Sequence, residues 1–567
     1  MSIQEEKNYR RMCPKTGRAI SKRFRRNRLT SGWLVWLLPI TGLAALVWFL
    51  IRVIPKPSRA AYPCQRIAAP LACGFLAWMS GLVGSVVIWR KAAGLLRGSR
   101  YAAAAACIVL AVLALWWPLG VTGRRATAGF TPTDQANTPM GVARGINPGR
   151  VVWVRDANAV TWDGYSGKWW DENNIHQDVV NEMMSKSIRW LTGTRTDTDA
   201  WRAIFTHFNR THNSGDVGYQ VGEKIAIKVN MNQDNGGSWS NDNGMPSPQL
   251  LYAVVDQLIN VVGVPGSAIT IYDASRYIGD PLYNKIRNNL NPNFQSVRFV
   301  VNPEEAGRGR QSATADTSAA IHYADRTVSY SGRTYPPVCV TEAKYLINMA
   351  LFRGHVIAGI TSLAKNHFGS VWHDVSSHRG WTPEHMHESC DIDERAMGSA
   401  NALVDLMGHK HLGGKTLLFM IDALYGNRNQ GTGPIRFRSF GNDWCCSVFV
   451  SQDAVACESV ALDFLRNEPV CDAEVKRNTD NYLHEAALAD NPRSGALYDP
   501  EGDGSRLESL GVHEHWNNAA DKQYSRNLGT GNGIELVCSE PFASADLNRD
   551  GVVNFLDFGI LTGTESI

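Results

Sequence analysis

The sequence predicts an α/β body with a mostly parallel sheet flanked by helices, preceded by three transmembrane helices and followed by a short EF-hand or dockerin-like calcium loop. Three observations predict it. Strand, helix and strand alternate within residues 224–272, the signature of a βαβ unit. The stretches 32–51, 67–89 and 101–123 carry no charged side chain, and each has the ~20 residues that cross a hydrocarbon layer as a helix. Near the end, DLNRDGVVNFLD (546–557) spaces oxygen donors as a calcium loop does.

Taken in order, residues 1–31 read as a basic cytoplasmic tail, with ten Lys or Arg against Glu5 and Glu6. Residues 32–123 read as the three spans, with Trp33, Trp36, Trp48, Trp89, Trp116 and Trp117 near their ends, where amphipathic rings favour the interface. Residues 32–125 hold ten basic and no acidic side chains, so a total of +4 leaves −14 for 126–567. An acidic body argues against a nucleic-acid partner. Basic residues before a first span favour a cytoplasmic N-terminus. Three crossings then place the C-terminal domain outside the cytoplasm, giving a multi-pass protein of the cytoplasmic membrane with the lipid bilayer as a partner.

Residues 124–149, rich in Thr, Gly and Pro, form a linker. The body follows over 150–470. Residues 151–154 are a short apolar strand. Helical spacing of Ile175, Val179, Val180, Met183, Ile188 and Leu191 predicts a helix over 176–191. Residues 199–208 read as a capped helix. A strand over 224–229, an amphipathic helix over 248–262 and a strand over 268–272 complete the βαβ unit. Further strands fall at 344–349 and 416–421, and a helix at 453–465. Sites on such sheets sit at the carboxyl ends of strands, here near Asn230, Asp273, His355 and Asp422. Residues 471–542 are a C-terminal extension, and 543–567 the calcium-loop repeat.

The stretches AIKVNMN (226–232), PSPQLLYAVVDQLINVVG (246–263), AITIYDASR (268–276) and KYLINMALFRGHVIAGITSLAKNHFGS (344–370) resemble the bacterial domain-of-unknown-function family 362. IDALYGNRNQGTGP (421–434) and SQDAVACESVALDFL (451–465) extend the resemblance. It implies a fold more than an activity, and a bacterial membrane as the location. HVIAGITSLAK also resembles the H-x-x-A-G…K segment of the nickel-pincer lactate racemases, whose Lys anchors the cofactor. That resemblance implies an anchoring role for Lys365 beside His355. Asn230, Asn232 and Asp234 replace the racemase Asp-x-Thr-Arg-Pro segment, and Asp273-Ala274-Ser275-Arg276 replaces its Gly-Thr-His.

The residues give candidates of their own. Lys365, His355 and Asp273 are the catalytic candidates, with Lys365 to anchor or polarise and His355 or Asp273 to move a proton. Lys228, Asn230, Asn366 and Asp422 are ligand-binding candidates; a Lys within a buried strand needs a partner or a purpose. A helix starting near Thr361 would turn its N–H groups to the cleft as an anion site. Eight of the 15 His lie between His355 and His411, and imidazoles suit a transition metal of unspecified identity. Cys339, Cys390, Cys445, Cys446, Cys457, Cys471 and Cys538 allow one or two disulfides if the body lies outside the cytoplasm.

In the terminal loop, Asp546, Asn548, Asp550, Val552 (through its carbonyl), Asn554 and Asp557 are the expected calcium ligands, with Gly551 at the sharp turn. Asp rather than Glu at the twelfth position, followed by Phe558-Gly559-Ile560-Leu561, resembles one repeat of a type I dockerin. Two readings of function follow. One is a membrane-anchored extracytoplasmic protein binding a metal or a small anionic ligand at the strand ends, with isomerase- or racemase-like proton transfer. The other is a non-catalytic scaffold whose calcium-dependent tail holds a protein partner.

Overall fold

A computed structural model of the chain describes Ile51 and residues 134–538, apart from 233–239, 243, 326–332, 376–377, 381–383 and 476–477. The chain divides into two compact units, Met1–Ala128 and Gly129–Ile567. Among the described residues no helix is long and apolar enough to cross a membrane. This corrects the expected multi-pass location and the orientation drawn from it. Apolar composition without charge is necessary for a span, but a span also needs a continuous helix of ~20 residues. Ile51 aside, the three apolar stretches lie outside the described residues, as does the loop 546–557.

The body is built on one mixed, mostly parallel sheet. Its strands in chain order are β1 (Arg150–Arg155), β2 (Ile225–Val229), β3 (Ile269–Asp273), β4 (Arg298–Val301), β5 (Gln311–Ser312), β6 (Tyr345–His355), β7 (Gly359–Thr361), β8 (Thr416–Asn427), β9 (Pro434–Ile435), β10 (Ser447–Ser451) and β11 (Glu535–Cys538). Among the described residues the spatial order is β11-β1-β10-β8-β6-β2-β3-β4-β5, with β7 returning on β6 and β9 on β8. The run β8-β6-β2-β3-β4-β5 is parallel throughout, whereas β10 is antiparallel to both β8 and β1. Strands buried on both faces read as unbroken apolar runs, and β2, β3 and β6 are buried at every position.

Helices cover both faces. On one face α1 (Gln177–Thr192), α2 (Asp197–Thr211), α3 (Pro248–Asp256) and α4 (Asp280–Arg287) pack Met183, Trp201, Leu251 and Ile286 against Ile227, Ile271 and Ile347. On the other, α5 (Leu363–Asn366), α6 (Ala402–Gly408), α7 (Ala454–Arg466) and α8 (Asn481–Ala487) pack Leu363, Leu403, Val460 and Leu483 against Ala226, Leu346 and Phe419. Alternate residues of each strand serve the two layers.

The helix starts follow local chemistry. Thr196 caps α2 by accepting from the Asp199 N–H, so α2 begins two residues before the position the pattern suggested. Pro248 opens α3 with its φ already helical, and α3 runs on as a wider π-turn over Gln257–Val262 before Gly263 (φ 82°) ends it.

Two strands outrun their apolar cores. β6 continues to His355 and β8 to Asn427 because the hairpin strands β7 and β9 pair with their ends. The C-terminal extension is also part of this body: β11 adds a parallel edge strand beside β1, and Val512–His513 pairs antiparallel with Met140–Gly141. Among the described residues Cys339, Cys390, Cys445, Cys446, Cys457 and Cys471 form no disulfide, which corrects the expected cross-links at these positions; five of these six are buried.

Candidate functional site

The parallel strands β2, β3 and β6 end side by side, and a cavity of about 470 Å³ opens there. That size suits a small ligand. Asn230, Asp273, Ser275, Arg276, His355, Lys365, Asn366 and His387 all line it. His355 closes β6; the chain then turns, returns along β7 and enters α5, bringing Lys365 back beside His355.

Beneath the cavity lies a saturated ion pair. Lys228 is buried, with Nζ 3.0 Å from Asp273 Oδ2, 3.0 Å from Asn366 Oδ1 and 2.6 Å from the Val229 carbonyl. An ammonium has three protons, and these contacts use all three. Burial pushes its pKa down, against the opposing pull of Asp273. Asp273 accepts in addition from the Met231 N–H at 3.1 Å and from the Ser275 N–H and hydroxyl at 3.1 and 3.0 Å. A carboxylate so fully bonded orients its neighbours. Gly369 permits the arrangement: a Cβ there would lie 2.4 Å from Asp273 Oδ1 and 2.7 Å from Lys228 Nζ. Asn366 also donates to Asn348 Oδ1 at 2.8 Å, tying α5 to the middle of β6.

Above this pair sit the groups that face the cavity. Lys365 Nζ lies 2.9 Å from His387 Nε2 and 4.3 Å from the centre of the Phe368 ring. Burial pushes the Lys365 ammonium down to about 8, with Arg353 and Arg276 adding to the shift and Cys390 opposing it. His355 Nδ1 accepts from the Ile357 and Ala358 N–H groups, both at 3.0 Å. That fixes the neutral ring with its proton on Nε2, and burial holds its pKa well below the usual value. His355 is therefore a hydrogen-bond donor through Nε2. The His355 and His387 rings stack 5.5 Å apart.

Positive charge dominates. Asn230 Oδ1 accepts from Arg353 Nη2 at 3.0 Å. Arg353 is fully buried, and its Nε and Nη1 meet no hydrogen-bond partner among the described residues. Burial pushes this guanidinium down to about 9. Around one small cavity stand Lys365, Arg276 and, just behind Asn230, Arg353, while the Asp273 charge is spent on Lys228.

Other expected site residues fall elsewhere. Asp422 sits in mid-strand, because β8 runs five residues past it; Oδ2 accepts from the Ser247 N–H at 2.5 Å and Oδ1 from the Leu424 N–H at 3.1 Å. It lines a separate recess with Ser247 and Tyr425. The helix-end anion site is also corrected: α5 has only four residues, and the Glu458 carboxylate already accepts from the Ala364 N–H at 3.0 Å. Of the eight clustered imidazoles, His355 and His387 reach the cavity, whereas His367 bonds Asn348 at 3.1 Å and His409 lies against His411. Among the described residues, no three ligand atoms of that segment converge. Asp546, Asn548, Asp550, Val552, Asn554 and Asp557 lie outside the described residues.

Glu458, on α7, is a residue the sequence gave no reason to single out. Its carboxyl is buried against the first turn of α5, and burial raises its pKa to about 7. A raised folded-state pKa favours the protonated chain, so this stability is complete below the unfolded value of ~4.5 and is lost as pH rises through about 7. Glu458→Gln is expected to remove a slope worth up to about 3 kcal/mol between pH 4.5 and 8. Urea unfolding of both proteins across that range checks it; parallel curves would contradict it.

These features define a class: a three-layer α/β domain with a cationic pocket at the carboxyl ends of its parallel strands. Residues 225–463, which hold every pocket group named above, match the domain family described as "Domain of unknown function (DUF362)". No curated protein and no solved structure matches the chain. The similarities to lactate racemases and to dockerins therefore have no support from these comparisons.

Proposed function

We propose that the DUF362 domain binds a small molecule bearing a carboxylate or phosphate in the pocket at the ends of β2, β3 and β6. Lys365 and Arg276 pair with the anion, and His355 donates a hydrogen bond to it. The observation that carries this reading is the convergence of Lys365, Arg276 and the neutral His355 on one cavity, where the one acidic residue among the described lining residues, Asp273, is paired with Lys228. A buried cation lacking a carboxylate partner is stabilised by an anionic ligand.

The Lys365–His387 contact adds a chemical capacity. An amine near pKa 8 gives up and regains a proton at ordinary pH, and His387 Nε2 lies within reach to take it. Proton transfer to or from a bound hydroxy acid is the turnover this couple fits. His355 and Asp273 support it as donor and as positioning residue.

Phosphate, lactate and phosphoglycolate are expected to raise the melting temperature of the full chain, whereas lactamide and glycerol, which lack the charge, leave it unchanged. Thermal unfolding followed by fluorescence checks this. Equal shifts from charged and neutral probes, or none from any, would overturn the reading. Deuterium wash-in at the carbinol carbon of lactate in D2O, seen by proton NMR, is the signature of turnover.

A further inference from the structure

A second cluster of polar groups lies outside the matched domain. Asp480 and His484 stand four residues apart at the start of α8, so they share one helix face. His513 and His515 alternate along an extended segment, so they point the same way. Asp134 comes from the start of the body. One ligand atom from each of Asp134, Asp480, His513 and His515 lies within 4.8 Å of all the others, and Asp480, His513 and His515 are buried. His484 Nε2 adds a fifth, 2.5 Å from Asp134 Oδ2.

The hydrogen bonds behind these rings determine what the front can do. The Ser459 hydroxyl donates to the Val455 carbonyl at 2.6 Å, so its oxygen must accept from His513 Nδ1 at 2.7 Å. The proton of that ring is then on Nδ1, and Nε2 presents a lone pair. His515 Nδ1 donates to Asp463 Oδ1 at 2.6 Å, and its Nε2 lies 3.4 Å from Asp480 and 3.3 Å from Arg466 Nη1, which an ion would displace. An imidazole whose rear nitrogen donates to an acceptor is the usual support of a metal-binding histidine.

The front of the cluster leaves several buried polar atoms unsatisfied. His513 Nε2, His484 Nε2, Asp134 Oδ2 and both Asp480 oxygens make no hydrogen bond of acceptable geometry among the described residues. The charges also do not close. Asp134, Asp463 and Asp480 bring three negative charges, and Arg466, 3.0 Å from Asp480, brings one positive. Carboxylates outnumber this one guanidinium around the rings.

We propose that Asp134, Asp480, His513 and His515, with His484, bind one divalent metal ion of the zinc class. Mixed imidazole and carboxylate donors suit zinc and its first-row neighbours rather than calcium or magnesium. Ion–ligand distances of ~2.0–2.2 Å require the set to close by a fraction of an ångström. Because four of the five donors, Asp480, His484, His513 and His515, are buried, the site is structural: it clamps the first residues of the body and the C-terminal extension onto α7.

The test uses the full chain, loaded with zinc, washed free of loose metal and analysed by elemental mass spectrometry. About one zinc per chain is expected to remain, in keeping with a closed structural site. Retention falls about tenfold or more in His513→Ala and His484→Gln and is unchanged in Lys365→Ala. Chelation lowers the melting temperature and zinc restores it. Should His513→Ala not fold, zinc X-ray absorption of the wild-type chain decides, with a shell of nitrogen and oxygen expected. A sulfur shell, retention unaffected by the His variants, or a chain that keeps no zinc and melts at the same temperature with and without chelator would overturn the proposal.

Discussion

Lys365→Ala is expected to leave the body folded and to weaken small-anion binding in the pocket by about tenfold or more. Its polar contact is His387 Nε2, and its ammonium lies over the Phe368 ring. A buried amine that must shed water to exist as an ammonium is a burden on the apo fold, so its removal leaves stability within about 1 kcal/mol or raises it. For the ligand the position is reversed. A charge-assisted contact in a water-poor cavity is worth roughly 1.5–3 kcal/mol, or about 10- to 150-fold in affinity. Lys365→Arg does not rescue it, because a planar guanidinium cannot occupy the space of a compact ammonium over Phe368. Calorimetric titration of both variants with phosphate checks this. Binding at wild-type strength in Lys365→Ala, or an unfolded variant, would contradict it.

Lys228→Met is expected to do the opposite: a large loss of stability rather than a local loss of binding. It strands the Asp273 carboxylate, 2% exposed, without its cation, and removes the donors that Asn366 Oδ1 and the Val229 carbonyl accept from. Breaking one side of a buried ion pair costs about 3–5 kcal/mol. The double variant Lys228→Met/Asp273→Asn, which removes both charges, recovers a large part of that cost. Urea unfolding of the single and double variants measures the coupling. A single-variant loss below about 1 kcal/mol would mean that the pair does not hold the strand ends together.

Some of this was readable in the residues. Lys228 stands out as a charge within IAIKV, and a buried lysine demands a partner; that the partner would be Asp273 required the parallel pairing of β2 and β3. His355 and Lys365 were expected in one pocket, and they are, but through a hairpin return rather than a direct step from strand to helix. The donor role of His355 was hidden, since it depends on two backbone N–H groups that only the turn after β6 aligns. Asp422 was misplaced because the apolar core of β8 ends before the strand does, and β9 carries the pairing further. His387 comes from a segment with no clear periodicity, so nothing in its spacing announces Lys365. Arg353 was readable in principle, as a guanidinium inside ALFRGH.

The multi-pass location was overturned for a different reason. Freedom from charge over some 20 residues is necessary for a membrane span, and hydropathy alone was asked to prove a helix. His513-x-His515 has the two-residue period of a strand face, a usable signal. It was passed over because the dense histidines between 355 and 411 drew attention to a segment whose side chains the fold sends in several directions. Asp134 and His484 could be joined to that pair only by tertiary structure.

The central claim is that a cationic pocket, with Lys365 as its titrating member, receives a small anion. Calorimetric titration of the wild-type chain with phosphate and with lactate, at pH 7 and pH 9, tests it most directly. With the Lys365 ammonium near 8, at least one of the two anions binds at pH 7 and is weakened about tenfold at pH 9, as one charge is lost per site. Affinity that is absent at both values, or that is equal at both, would contradict the account.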